Sequence, residues 1–233
     1  MAIDLLEAVN VMESPKVGIE DIISENDADM MFISETWIKG EDCVKITEMV
    51  PNGYDILHIP RDNRSGGGVA IIYKLCLQIT TLPSVSTQTF EICSLKVKTQ
   101  SSSIHCSCVY RPTPGKKNNT NFTQFLSDFN IFIETLTSND NIYIFGDFNI
   151  HCDNSDDPAA QKFKKLLDEH SLKQLVTAPT HIKGHILDLI ITRDFQYDFA
   201  NPCIHDLCLS DHYLLSLSIP FCKQKNNIKF HTY

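Results

Sequence analysis

Two polar side chains close an apolar run in Ile142-Tyr143-Ile144-Phe145-Gly146-Asp147-Phe148-Asn149. The run is too short for a helix and reads as a strand covered on both faces. At a period of two, Asp147 and Asn149 leave the strand end on one side, where a carboxylate beside an amide could hold a water and a phosphate oxygen. The same residue types also make an Asx turn that closes a strand, so this stretch alone leaves both readings open. Four other strand-like runs carry polar groups at an end or inside. Met30–Ser34 runs into Glu35-Thr36-Trp37, and Ile104–Tyr110 exits through Tyr110-Arg111-Pro112, with side chains able to touch a phosphate. Asp188 interrupts the apolar Ile186–Ile191, and Ser210-Asp211-His212 precedes Tyr213–Ile219. A carboxylate inside an apolar run is costly unless paired, and a histidine is its natural partner. Trp37, the only tryptophan, suits a core or rim aromatic.

These groups need elements to hold them, and the chain supplies alternating strand and helix signals. Ser14-Pro15 reads as an N-cap with Pro at N1, followed by Ile19, Ile22 and Ile23 at helical spacing up to Asn26. Phe122, Phe125, Leu126, Phe129, Ile133 and Leu136 share a helical face behind a Thr120-Asn121 cap, and Asp157-Pro158 opens a helix that aligns Phe163, Leu166 and Leu167. Strands are expected over Tyr54–Ile59, Val69–Tyr73 and Phe90–Val97 as well. Gly66-Gly67-Gly68 lacks a following Gly-Lys-Ser/Thr, which argues against a nucleotide-binding P-loop and for a tight hairpin turn. No repeat or linker divides the 233 residues, so one domain over 1–233 is expected, with residues 222–233 a loose tail.

Composition narrows the function classes. A net charge of −9 argues against gripping nucleic acid by bulk electrostatics, although Arg61 with Arg64 and short lysine groups remain for local phosphate contacts. Nine cysteines without a Cys-x-x-Cys pair fit reduced thiols in an intracellular protein, nuclear or cytoplasmic. Cys203, His205 and Cys208 are too irregularly spaced for a zinc site. Neither a signal peptide nor an apolar run of about 18 residues is visible, so no membrane partner is expected.

Taken in order, Glu35-Thr36-Trp37, Tyr110-Arg111-Pro112, Gly146-Asp147-Phe148-Asn149, Leu187-Asp188-Leu189 and Ser210-Asp211-His212 resemble the endonuclease/exonuclease/phosphatase superfamily. With Arg64-Ser-Gly-Gly-Gly-Val69 before a strand, the chain is most similar to the endonuclease domain of non-LTR (LINE-type, jockey-like) retrotransposons. That resemblance implies an α/β fold, a four-layer sandwich of two mixed β-sheets packed face to face with flanking helices, and a Mg²⁺ (or Mn²⁺) phosphodiesterase site at one edge. It implies that Glu35 binds the metal, supported by Asp211. Asp147 would orient or deprotonate the attacking water, Asn149 would position water and phosphate, and His212, oriented by Asp188, would contact the scissile phosphate. Tyr110 would donate towards the phosphate or leaving oxygen, with Arg111, Thr180 and Arg64 as substrate contacts. DNA is the implied substrate, and a reverse transcriptase region the implied partner within a longer polyprotein.

The family pattern begins with a strand carrying a metal-site Asn. Here Asn10 stands at nearly the expected distance from Glu35, but Ile3 and Leu5-Leu6 are interleaved with acids, so residues 1–16 read as a degenerate or replaced start with a weakened or absent central strand. Two alternatives to a DNA endonuclease follow. One is a weakened, domesticated copy acting as a binding protein, and the other is a superfamily phosphoesterase for substrates such as phospholipid head groups.

Overall fold

Alternation is the local rule that builds most of this structure, a computed structural model that describes residues 2–9, 18–39, 46, 49–61, 66–83, 85, 87–99, 102–113, 121–136, 141–193, 201–208 and 210–220. In chain order the elements are β1 (Ala2–Val9), α1 (Ile19–Glu25), β2 (Met30–Ser34), β3 (Tyr54–Ile59), β4 (Val69–Lys74), β5 (Ile79–Thr81), β6 (Glu91–Lys98) and β7 (Ser103–Tyr110). They continue with α2 (Phe122–Thr135), β8 (Asn141–Asp147), α3 (Pro158–Glu169), β9 (Leu172–Gln174), β10 (Asp188–Arg193), β11 (Cys203–His205) and β12 (Leu214–Pro220). Ser14-Pro15 lies outside the described residues; α1 starts behind Gly18 and ends at Asn26. The caps of the other two helices are those the sequence signals: Asn121 accepts from the Thr123 N–H, and Asp157 from the Ala159 N–H with Pro158 in the first turn.

The strands form two six-stranded mixed sheets, ordered β11-β12-β1-β2-β4-β3 and β5-β6-β7-β8-β10-β9. Each contains one parallel pair, β1 with β2 and β7 with β8, and antiparallel neighbours elsewhere. The inner faces meet in one apolar core, where Phe32 of β2 stacks on Phe145 of β8 with ring centroids 4.1 Å apart. On the outer face of the first sheet, Ile19, Ile22 and Ile23 of α1 cover Leu6, Ala8, Met31, Ile33 and Ile72. Facing away from Phe32, the other side of the second sheet meets α2 and α3 through a run of touching phenylalanines, including Phe125, Phe129, Phe148 and Phe163. The result is the expected four-layer α/β sandwich.

One expectation fails. The central strand expected to be weakened or absent is present: β1 is paired on both sides, antiparallel to β12 and parallel to β2, inside the first sheet. Its acids do not spoil the alternation. Ile3 and Leu5 face the sandwich interior, Leu6 and Ala8 face α1, and Asp4 is answered by Ser218, whose hydroxyl donates to Asp4 Oδ1. A strand flanked on both sides needs two apolar faces rather than one polar and one apolar, so a scattered pattern of Ile, Leu and Ala suffices. Gly66–Gly68 also does more than turn a hairpin. All three glycines have φ near +80°, and the Gly67 and Gly68 carbonyls accept from the Trp37 and Thr36 N–H groups, tying the β3–β4 connection to the exit of β2.

Candidate active site

The parallel order within each sheet brings the carboxyl ends of β2, β7 and β8 to one edge of the sandwich, and β10 starts there because it runs antiparallel to β8. Gly146 permits the tight end of β8: its φ is +140°, and a Cβ there would sit 1.8 Å from the Val109 carbonyl oxygen. Asp147 follows, only 2% exposed. Its two oxygens accept from Asn149, one from the backbone N–H at 2.9 Å and one from the side-chain amide at 2.7 Å. The same amide donates to the Arg111 carbonyl at 2.8 Å, and Asn149 sits at φ +49°. The Asx-turn and site readings of this stretch therefore describe one object. Burial first, and the Asp188 charge next, push the Asp147 carboxyl well above the ordinary carboxylate range, against His212 and the Asn149 N–H, which pull it down.

Asp188 lies directly across the ladder from Asp147 and is wholly buried. Both its oxygens face His212 Nδ1, at 2.8 and 3.0 Å. Burial would lower the His212 pKa, but the bond to Asp188 and the charges of Asp188, Asp147 and Asp211 outweigh it and push it up to about 9. His212 is therefore a cation at neutral pH, presented at the floor of the edge. Thr180 fixes its partner from below: the buried hydroxyl accepts the N–H groups of Leu187 and Asp188 at 3.0 and 3.1 Å. Asp211 is about half exposed and lies 3.2 Å from His181 Nε2, while the His181 and His212 rings meet edge to face at 4.8 Å.

Across the edge, Glu35 sits at φ +55° beyond β2. The Tyr110 hydroxyl donates to its Oε1, and the Trp37 indole N–H donates to its Oε2 at 3.3 Å. Burial, then the Glu35 charge, raise the Tyr110 pKa, so its proton stays on the phenol. Arg61 lies over the Tyr110 ring and pairs with Glu91, whose other oxygen takes the Gly68 N–H at 2.5 Å. This network carries the glycine segment to the site.

The structure brings Glu35, Tyr110, Asp147, Asn149, Asp188, Asp211 and His212 together, but it gives Arg111 and Thr180 other positions. The Arg111 guanidinium is buried over the Phe125 ring and donates to the Phe148 and Asn149 carbonyls at 3.0 and 3.1 Å, holding the loop from inside. Thr180 is occupied by backbone rather than open to a substrate. Arg64 and Asn10 lie outside the described residues. Trp37, expected in the core or at its rim, is 44% exposed beside Glu35.

Two residues the sequence reading passed over also belong here. His181 lies beside Thr180, and its histidine type was the available signal. Glu7 is the less obvious one. Its register partners Phe32 and Leu215 belong to the interior core, so β1 directs Glu7 between the sheets. It is wholly buried, and burial, then Asp188, the Cys108 thiol and Asp147, hold its carboxyl well above the ordinary range. Its phase with Ile3 and Leu5 was the missed signal.

Hard carboxylate oxygens dominate this edge, the donor set that suits Mg²⁺ or Mn²⁺ rather than a thiolate-loving metal. Among the described residues, two groups of three could hold a cation: His181, Asp211 and His212 in the site, and His151, Asp153 and His185 on the loops beside it. Cys203, His205 and Cys208 form no such group. A cavity of about 840 Å³ beside α3 and β9, lined by Cys152, Lys164 and Gln174, includes none of the site residues.

The family model described as "Endonuclease/Exonuclease/phosphatase family" matches residues 9–212. No curated protein matches the chain by sequence. Among solved structures, the endonuclease domain of TRAS1, a telomere-specific non-LTR retrotransposon, superposes with a TM-score of 0.72 at 17% identity, covering 96% of this chain and 100% of that one. The AP endonuclease LMAP from Leishmania major gives 0.74 at 12% identity, with 94% and 87% covered. The human Nocturnin catalytic domain gives 0.65 at 13% identity, with 94% of each covered. At these identities the likeness is one of fold.

Proposed function

Because the chain belongs to the endonuclease/exonuclease/phosphatase family, we propose that it is a divalent-metal-dependent phosphodiesterase that nicks DNA, of the kind carried by non-LTR retrotransposons. One arrangement carries the reading: the Asp147–Asn149 unit and the cationic His212–Asp188 pair face a carboxylate held by Tyr110 across a single edge. The match to the TRAS1 endonuclease domain over 96% of this chain supports the retrotransposon class; in that class the proposed partner is a reverse transcriptase region within a longer polyprotein.

Hydrolysis of a phosphodiester needs a positioned water, neutralisation of charge growing on the phosphorus oxygens, and a protected leaving oxygen. Asp147 takes the water's proton, its orientation fixed by the two Asn149 donors. With both amide hydrogens of Asn149 engaged by Asp147 and the Arg111 carbonyl, its Oδ1 is left to accept from the attacking water. His212, charged through its bond to Asp188, donates to the phosphate, and that attraction strengthens as negative charge grows on the phosphate oxygens. Glu35 and Asp211 would hold Mg²⁺ or Mn²⁺, with Tyr110 fixing the Glu35 carboxylate. When bound, the cation supplies charge neutralisation.

Purified protein should convert supercoiled plasmid to nicked circles in Mg²⁺, with EDTA abolishing the reaction. Asp147→Ala should lower the rate by at least ~10²-fold. Equal nicking by wild type and Asp147→Ala would sink the proposal, and faster hydrolysis of another phosphodiester than of DNA would move it to a different substrate.

A further inference from the structure

Glu7 is wholly buried, and neither of its carboxylate oxygens has a hydrogen-bond partner among the described residues. That is an expensive arrangement: an isolated buried carboxylate costs many kcal/mol unless something of opposite charge answers it. The backbone cannot relieve it, because β1 is paired on both sides at this position, with Phe32 of β2 and Leu215 of β12. The groups that act on Glu7 electrostatically are Asp188, Cys108 and Asp147, with no basic side chain among them. Asp188 is already answered by His212 and Asp147 by Asn149, so Glu7 is the acid at this edge left without a partner. A purely structural position here would be filled better by an apolar side chain of similar volume.

We propose that Glu7 is a metal-ligating carboxylate of this edge, adding its oxygens to the set that receives an oxygen-preferring divalent cation. The inference rests on the metal-dependent reading above and extends it to a residue outside that reading's set. A further carboxylate near Asp147 and Asp188 adds a hard oxygen ligand for the cation and thereby raises its affinity. It also makes the metal-free protein less stable than one with an apolar side chain of similar volume at position 7.

The test is Mn²⁺ titration of the full chain, read by the electron paramagnetic resonance of the free ion, with the metal-induced rise in melting temperature as a second readout. Wild type, Glu7→Gln and Glu35→Gln are compared. Glu7→Gln should bind Mn²⁺ about 10- to 100-fold more weakly. Without metal, Glu7→Met should melt at or above the wild-type temperature, since the unanswered polar group is gone while the volume is nearly kept. Glu7→Met, apolar and of similar length, should show the same loss and serves if the Gln variant does not fold. Equal or tighter Mn²⁺ binding by the Glu7 variants, with loss in Glu35→Gln, overturns this inference alone. A wild type that takes up no Mn²⁺ overturns both this inference and the metal-dependent reading.

Discussion

His212 shows how a single contact sets a working range of pH. A free histidine titrates near the ordinary 6.5, whereas Asp188 and the acids around it hold His212 up to about 9 in the folded chain, against its burial. The proton is therefore bound more tightly in the folded state. The stability this gives is fully present below about pH 6.5 and is lost as pH rises through about 9. In the proposed reaction the same proton serves the phosphate, so kcat/KM for nicking should hold at neutral pH and fall as pH passes about 9. Asp188→Asn should move that fall to lower pH by a unit or more, because the neutral amide removes the charge that holds the proton. An unmoved alkaline limb in Asp188→Asn would assign the limb to another group. At this scale the sequence was informative where residue type alone dictates chemistry: an Asp inside an apolar strand needs a histidine, and it has one. It left Arg111 and Thr180 open, whose types suit a phosphate equally well but whose donors and acceptor meet backbone in the structure. Only the neighbours' positions separate those two uses.

Two elements carry the site through backbone rather than through chemistry. The end of β8 depends on Gly146, where any side chain meets the Val109 carbonyl and an unfavourable φ together. Gly146→Ala should therefore destabilise the protein by roughly 3 kcal/mol, summing overpacking and backbone strain. A calorimetric or denaturant measurement showing less than ~1 kcal/mol would mean that β7 and β8 can separate at little cost. The turn before β10 depends on the Thr180 hydroxyl, which answers two buried N–H groups. Thr180→Val keeps the shape and removes the acceptor, so a loss of about 2 kcal/mol is expected. It should appear in urea as a lower midpoint with unchanged slope, and as slower nicking from a displaced Asp188. The long strands and capped helices were legible because periodicity and capping are local. β5, β9 and β11, at three residues each, carry too few residues for a period to show.

At the level of the whole molecule, two facing sheets decide what the N-terminal segment is. β1 lies between β2 and β12, joining strands that are far apart in sequence. A chain lacking residues 1–9 should therefore lose cooperative melting altogether rather than merely lose metal, and near-wild-type unfolding of that truncation would show the first sheet can close without β1. No helix among the described residues is long and apolar enough to cross a membrane. The sequence by itself determined the family, the layered α/β architecture and the acids and histidine of the edge, because those rest on local periodicity and on motifs that survive as short strings. Tertiary structure alone decided that β1 exists and that Glu7 turns inward. It also decided that the Asp147–Phe148–Asn149 segment is a closing turn placed at the centre of the candidate site. The physical reason is that burial, ladder partners and the sum of nearby charges are properties of what lies across the sandwich, and no local pattern of residues records them.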